Sequence, residues 1–199
     1  MEEQFWNCIR KGDERAFSFL YEQYADMLYG YGMRIVSDDD LVSNAIQSLF
    51  IYLFEKRKSI SRPDSISAYL CVSLKRLILL EVKKRREGRN VSLEEVSISD
   101  YNFELEVDVE KTIITTECDR ELLLSLQQAL EGLTKRQREI VYLKYFKGMD
   151  NSEIATIMEL SIQTVKNTTT QALARLRDFP RLANTYAVFV AFLVSLLLF

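Results

Sequence analysis

The stretch from Thr134 to Arg177 contains three short segments with helical apolar spacing, separated by brief polar turns. The first two open with the pattern of a capping box, Thr134 with Gln137 and Asp150 with Glu153. Gly148 permits the first helix to end, and Ser161 is a natural N-cap for the third. Short capped helices joined in this way predict a helix-turn-helix unit near the end of the chain.

The third of these helices is predicted to be amphipathic. Its core-facing residues, spaced three or four apart, would be Ile162, Val165, Thr169, Ala172 and Leu176. The outer face would carry side chains that donate and accept hydrogen bonds: Gln163, Thr164, Lys166, Asn167, Thr170 and Gln171. Such side chains on the first turns of a capped helix are suited to reading base edges in the DNA major groove. The alternative is a plain helical hairpin whose polar face meets only water.

The composition favours an all-α protein. The chain has six Gly and two Pro among 199 residues, and 48% of its residues are hydrophobic and 28% charged, as in ordinary folded proteins. Its three cysteines, Cys8, Cys71 and Cys118, lack a CxxC spacing, so we expect neither a disulfide framework nor a zinc site. This cysteine usage fits a reducing cytosol.

The sequence offers little for catalysis. It has no histidine, which excludes serine–histidine and cysteine–histidine mechanisms. No pair of acidic residues stands in a recognisable site, and "YGYGMR" from Tyr29 to Arg34 lacks the third glycine of a phosphate loop, so it is interpreted as helix or turn. We therefore predict a protein that is not an enzyme, with no catalytic residues, no metal and no cofactor.

Charge is distributed along the chain in blocks. Residues 75–89 contain seven basic and two acidic residues, residues 92–119 contain nine acidic residues and one base, and residues 134–147 are basic again. Two cationic modules separated by an anionic segment suggest contact with a polyanion at both ends. The alternative is that each block is a solvated helix face. The predicted organisation is two small helical domains, 1–88 and 118–183, an acidic linker at 89–117 and a hydrophobic tail at 184–199.

The segment from Ala129 to Arg177 resembles the promoter-binding helix-turn-helix domain of bacterial sigma factors, nearest to the extracytoplasmic-function group. The matching pieces are "LTKRQRE", "SEIA" and "LSIQTVKN". The resemblance implies that this domain binds the upstream, minus-thirty-five promoter element. Two positions that are commonly basic in the family are Thr168 and Gln171 here, which predicts fewer phosphate contacts and weaker salt dependence.

The N-terminal half resembles the polymerase-binding domain of the same family. "GDERAFSFLYEQYADMLYGYGMRI" and "SNAIQSLFIYLFEKRKSI" match its first two helices, and "SISAYLCVSLKRLILLEVKKRR" matches the helix that contacts the downstream, minus-ten element. In the second helix, Ile46, Leu49, Phe50 and Leu53 are predicted to pack inside, and Phe54 is also assigned to the core. The loop at 58–67 corresponds to the loop that binds a flipped-out base in related sigma factors.

The resemblance also implies contact residues in this half. Those expected to bind core RNA polymerase are Asn44 and Gln47. Those expected to bind the downstream element are Tyr69, Lys75, Arg76, Lys83 and Arg86. Two departures bear on these roles: Ser43 and Asn44 stand where the family has an acidic pair, and Arg76 stands where it has an asparagine.

The resemblance thus predicts a sigma factor that binds core RNA polymerase and promoter DNA in the cytoplasm. One alternative is a polymerase-independent helix-turn-helix regulator, and another is a membrane-tethered adaptor. We expect no secretory signal, because "MEEQFWNCIRKGDERAF" has no apolar stretch preceded by basic residues. The apolar tail at 184–199 suits either a short helix inserted in the inner membrane or a segment that covers a groove on this protein or on a partner such as an anti-sigma factor.

Overall fold

A computed structural model describes residues 2–88, 101–105 and 117–177, with side chains described from Phe5 to Gly88, at 101–105 and from Leu124 to Arg177. The chain divides into two compact units, Met1–Asn102 and Phe103–Phe199. Every regular element within the described ranges is helical, which confirms the predicted all-α fold class. The tail at 184–199 and most of the linker at 89–117 lie outside the described residues, so the predicted domain limits stay predictions.

Four helices build the N-terminal unit: α1 (Glu2–Lys11), α2 (Glu14–Ile35), α3 (Asp39–Lys56) and α4 (Ile66–Glu87). Short polar side chains cap three of them, because Asp13, Asp38 and Ser65 accept hydrogen bonds from the first free backbone amides of α2, α3 and α4. The segment "YGYGMR" lies within α2, as the sequence predicted. Helices α2, α3 and α4 pack on one another, and buried Leu28 and Leu74 are among the residues that fill the space between them.

The helices α2 and α3 approach each other closely at Gly32. A Cβ atom built on this glycine would lie 2.7 Å from Cγ1 of Val42 and 3.2 Å from Cδ1 of Ile78. The absence of a side chain at position 32 therefore permits the contact, which holds α3 and its exposed face in place against α2.

An aromatic cluster closes the end of this unit against α1. Trp6 and Ile9 of α1 are buried against Leu20 of α2, and Phe17 and Phe50 are partly buried around them. Of the core predicted for α3, Ile46, Leu49 and Leu53 are buried, whereas Phe50 is half-buried. The assignment of Phe54 to the core is wrong: its side chain is 42% exposed, and its ring lies at the edge of the core between Phe17, which it contacts edge to face, and the guanidinium of Arg57, 4.4 Å from the ring centroid.

The C-terminal unit contains α5 (Glu117–Glu131), α6 (Lys135–Val141), a π-helical turn (Tyr142–Phe146), α7 (Asn151–Met158) and α8 (Ile162–Arg177). Both predicted capping boxes are present, at Thr134 and at Asp150. Gly148 adopts a φ of 65° where the first of these helices has ended, as predicted. Helix α7 ends at Met158, and its C-cap Glu159, whose φ of 53° is in the left-handed region, starts the turn that leads into α8.

A short piece of the chain before α5 also belongs to this core. Phe103 and Leu105 are buried, and the ring of Phe103 lies 5.6 Å from that of Tyr142. The guanidinium of Arg138 donates to the carbonyl oxygen of Phe103 over 2.8 Å. This part of the predicted linker is therefore folded against the helix-turn-helix unit and is not an open tether.

One predicted core position in α8 is wrong. Val165, Thr169, Ala172 and Leu176 are buried against the rest of the unit, but Ile162 is 47% exposed. The periodic spacing continues to Ile162, yet α8 begins at that residue and the packing surface already ends at Val165. Among the helices that the structure describes, none is both long enough and apolar enough to span a membrane.

Candidate nucleic-acid interface

Helix α8 carries all six residues predicted to contact the upstream DNA element. Five of them are exposed, and Thr164 is half-buried. Helices α6 and α7 cover the opposite side of α8, where Val165 and Ala172 are fully buried. The helix-turn-helix therefore exposes a polar face on α8, as the sequence predicted.

The first turn of α8 is held by hydrogen bonds among its own hydroxyl groups. The hydroxyl of Ser161 accepts from the amide of Thr164 at 3.1 Å and lies 2.8 Å from the Thr164 hydroxyl. Ser161 thus caps the helix, as predicted. The Thr164 hydroxyl is engaged within this cap, which leaves it less available for a base edge than its position in the sequence indicated.

The next exposed turn presents two amide side chains that are paired with each other. Nε2 of Gln163 donates to Oδ1 of Asn167 over 2.9 Å, one helical turn apart. The pair still has the Gln163 carbonyl oxygen as an acceptor and N–H groups on both residues as donors. A fixed pair of this kind can accept from one base edge and donate to another without first losing the freedom of two separate side chains.

The remaining residues of this face differ in what they can offer. Lys166 is exposed and adds a positive charge to this helix. The hydroxyl of Thr170 donates to the backbone carbonyl of Lys166 over 3.1 Å, so its oxygen acts outward as an acceptor. Gln171 is exposed beyond it.

The five residues predicted to bind the downstream element all lie on α4, but they differ in exposure. Arg76 and Arg86 are exposed, and Lys83 is half-buried with its ammonium 3.7 Å from a carboxylate oxygen of Glu87. Tyr69 is half-buried, and this burial raises the pKa of its phenol despite an opposing hydrogen bond with Ser73. The side chain of Lys75 is only 2% exposed, so the DNA role predicted for it does not fit its place in the folded unit.

Lys75 is buried because a piece of chain beyond α4 folds back over it. Its Nζ donates to the hydroxyl of Tyr101 over 2.7 Å. Position 75 also lies on the same stripe as buried Cys71 and Ile78, which the sequence pattern does not reveal because a lysine there reads as a surface residue.

Arg85, a member of the basic run on α4, links α4 to α3. Nη1 of Arg85 lies 2.8 Å from the carboxylate of Asp38, which also caps α3. This ion pair fixes the basic end of α4 relative to the start of α3. The sequence could not indicate this role, because Arg85 is one of several basic residues in a row and its partner Asp38 lies 47 residues earlier.

A groove of about 670 Å³ lies on the exposed side of α3. It brings together both residues predicted to bind polymerase, Asn44 and Gln47, with exposed apolar side chains that the sequence analysis did not assign to this role. The complete lining is Tyr21, Ser43, Asn44, Gln47, Phe50, Ile51, Phe54 and Glu55. Within the described residues, no group of three or more acidic or cysteine side chains is placed to hold a metal ion.

Comparison with known proteins identifies the helix-turn-helix unit first. The family described as Sigma-70, region 4, matches residues 123–176, which include α6, α7 and all but the last residue of α8. The ECF RNA polymerase sigma factor SigK of Mycobacterium ulcerans is 23% identical over 171 residues, which cover 85% of this chain and 88% of that protein. Over most of its length the chain is similar to extracytoplasmic-function sigma factors, and its helix-turn-helix unit matches Sigma-70, region 4.

A second curated sigma factor and two solved structures are similar to this chain over most of its length. The RNA polymerase sigma-H factor of Pseudomonas aeruginosa is 22% identical over 169 residues, covering 83% of this chain and 86% of that one. The solved structure of the sigma factor RpoE from Bartonella quintana, in complex with the anti-sigma factor NepR, superposes with a TM-score of 0.54 at 19% identity, covering 83% of this chain and 96% of that chain. CnrH, solved with the cytosolic domain of CnrY, gives a TM-score of 0.51 at 19% identity over 86% of this chain and 92% of its own.

The region 4 match and the sigma-factor relatives identify a factor that directs promoter-specific transcription initiation. The alternative of a polymerase-independent regulator is not favoured, because the relatives match across most of both units and not over the helix-turn-helix alone. These relatives are sigma factors, which are not enzymes.

Proposed function

We propose that this sigma factor binds core RNA polymerase through the groove on α3, reads the upstream promoter element with α8 and holds the opened downstream element with α4 and the loop at 58–67. The phosphodiester chemistry then belongs to the polymerase, and the protein acts in the cytoplasm. The observation that carries this proposal is the exposed groove on α3, because it combines apolar and hydrogen-bonding groups on the unit that does not contain the helix-turn-helix.

The groove has the composition of a protein-binding surface. Tyr21, Ile51 and Phe54 expose large apolar side chains there, whereas Asn44 and Gln47 supply donors and acceptors at its edge. Aromatic residues surrounded by polar groups are typical of interface centres. With Ser43 and Asn44 in place of an acidic pair, this contact depends more on apolar burial than on charge, so we expect its salt dependence to be small.

The proposed DNA contacts divide between positioning and reading. On α8, the amide pair of Gln163 and Asn167 faces base edges, and Lys166 faces phosphate. On α4, Arg76 and Arg86 are exposed cations suited to backbone phosphates of the opened strands. Tyr69, half-buried on the same helix, is suited to stack on an unpaired base.

An anti-sigma factor is also proposed as a partner. RpoE and CnrH, whose fold this chain shares, were each solved with such a bound protein or with the cytosolic domain of a second protein. The exposed apolar groove on α3 needs a cover when polymerase is absent, and a partner that competes for it would keep the factor inactive. The hydrophobic tail, proposed either to contact the membrane or to pack on protein, lies outside the described residues.

Transcription in vitro tests the proposal directly. Purified core polymerase with this chain should produce transcripts from its promoter, whereas neither component alone should do so. A Gln47→Ala variant should weaken binding to core polymerase, and Gln23→Ala provides the matched control because Gln23 is an exposed glutamine of α2 outside the groove. Binding of promoter DNA by the isolated chain, with no association with polymerase, would contradict the proposal.

A further inference from the structure

We propose that Ile162 selects a thymine in the upstream promoter element by packing against the C5-methyl group of that base. This inference rests on the proposed function of α8 and goes beyond it, because it assigns one base to one apolar side chain. The starting observation is that Ile162, the first residue of α8, is 47% exposed although the helical periodicity predicts a core residue.

The exposure of Ile162 follows from where the packing surface ends. Val165, one turn later on the same stripe, is fully buried. Leu160 in the preceding turn is half-buried, and Ser161 is exposed. The branched side chain of Ile162 therefore lies at the tip of α8 outside the core, on the first turn of the helix, which is the part of a helix-turn-helix reader that meets base edges.

The polar groups around Ile162 are already engaged with one another. The hydroxyls of Ser161 and Thr164 lie 2.8 Å apart in the helix cap. The Gln163 amide donates to Asn167 over 2.9 Å, which directs it along the helix to the next turn. The start of α8 therefore presents mainly the hydrocarbon side chain of Ile162 to a base. The amide pair of Gln163 and Asn167 lies next to it along the helix.

Only one base has a hydrocarbon group on its major-groove edge. Thymine carries a C5-methyl, whereas the other three present hydrogen-bonding atoms there, and apolar side chains contact that methyl in protein–DNA interfaces. Covering one methyl group with another apolar group changes an equilibrium constant by about fourfold. A cytosine at the same position carries only a hydrogen at C5, so it would lack this methyl contact.

Replacing thymine by deoxyuracil isolates this contact, because it removes only the methyl group. The preferred upstream element is first obtained by selecting promoters from a randomised library with the holoenzyme. Each thymine of that element is then replaced in turn by deoxyuracil, and open-complex formation is measured. We expect one position at which the replacement lowers the apparent affinity about fourfold, and no comparable effect at the others.

The variant Ile162→Ala completes the experiment. It should bind the thymine and deoxyuracil promoters equally at that one position, and Ile162→Val should retain part of the difference. Leu124→Ala is the matched control, because Leu124 is an exposed aliphatic residue of α5 in the same unit, and it should keep the full difference.

Three results would overturn the inference: a selected element without thymine, no position sensitive to deoxyuracil, or a sensitivity that persists unchanged in Ile162→Ala. These are distinct from failure of the proposed function, in which the holoenzyme would not transcribe from any member of the library. The measurements of the wild-type holoenzyme on deoxyuracil promoters test the inference even if a variant does not fold.

Discussion

Lys75 donates a hydrogen bond from Nζ to the hydroxyl of Tyr101 over 2.7 Å, and the same ammonium lies 4.4 Å from the centroid of the Tyr101 ring. The lysine is buried on the core side of α4, where a positive charge is strongly destabilising unless polar or aromatic groups surround it. Tyr101 comes from the segment predicted as an acidic linker, so this part of that segment contributes to the stability of the N-terminal unit.

Removing the hydroxyl of Tyr101 should therefore destabilise the unit. We expect Tyr101→Phe to lower the free energy of unfolding by about 1.5–3 kcal/mol, the usual worth of a hydrogen bond to a charged group, while the ring stays in place. Urea unfolding followed by circular dichroism measures this. Lys75→Met is the control: it replaces the charge by an apolar chain of similar length and should be close to neutral or stabilising. Equal unfolding midpoints for Tyr101→Phe and the wild type would contradict the role of this contact.

The burial of Lys75 also predicts which cation of α4 serves promoter opening. Arg76 is exposed and Lys75 is not. Arg76→Met should lower open-complex formation and reduce its salt dependence by about one counterion, whereas Lys75→Met should leave both near the wild-type values. Permanganate reactivity of unpaired thymines at a series of salt concentrations checks this. An equal loss in both variants would mean that Lys75 is freed from Tyr101 in the complex.

The contact between α2 and α3 makes a prediction about Gly32. A Cβ at position 32 would lie 2.7 Å from Val42, far inside van der Waals contact. Gly32→Ala should cost about 1–3 kcal/mol of stability, as overpacked cores do. In the double variant Gly32→Ala with Val42→Ala, the added methyl group has space. The double variant should therefore lose less stability than the two single variants lose together. Thermal unfolding of the two single variants and the double variant tests this, and strict additivity would count against a steric cause.

Local features of this fold could be predicted from the sequence with good accuracy. The capping boxes at Thr134 and Asp150 and the helix stop at Gly148 depend on residues within one turn of each other, and each is present in the structure. The polar face of α8 was predicted for the same reason, since the periodic spacing of four buried residues determines it.

Features that depend on distant contacts could not be predicted in this way. Lys75 is buried by a residue 26 positions later, and a lysine within a basic run reads as a surface residue. Ile162 and Phe54 have core-like spacing, but both lie at the edge of a packed surface, where they are 47% and 42% exposed. The same distinction applies to the candidate site: the residues of α8 followed from periodicity, whereas the apolar lining of the groove on α3 required the packing of α2 against it.

Two neighbouring residues of α8 should differ in the kind of DNA binding that they support. Lys166→Ala should weaken holoenzyme binding to all upstream elements alike and reduce the salt dependence by about one counterion. Gln163→Ala breaks the amide pair with Asn167 and should cost about 1–3 kcal/mol on the preferred element, with relaxed choice at one or two positions. Sequencing of transcripts from a promoter library separates the two outcomes. If both variants changed base preference equally, the division between phosphate and base contacts would be wrong.

The cap of α7 makes the stability of the C-terminal unit depend on acid pH through Asp150. Its carboxylate accepts from the amides of Ser152 and Glu153 at 2.7 and 2.9 Å. The hydrogen bond from the Glu153 amide is the largest of several effects that hold the pKa of Asp150 below its ordinary value of 3.8. Because folding lowers this pKa, the ionised carboxylate stabilises the native state at pH values above 3.8, and this stabilisation is lost as the pH falls through the folded pKa.

Asp150→Asn keeps a neutral capping oxygen. Its urea midpoint should therefore lie below the wild-type midpoint at pH 7, and the difference between the two midpoints should narrow as the pH falls below 3.8. A gap of constant size down to pH about 2 would show that the charge of Asp150 does not contribute to the cap.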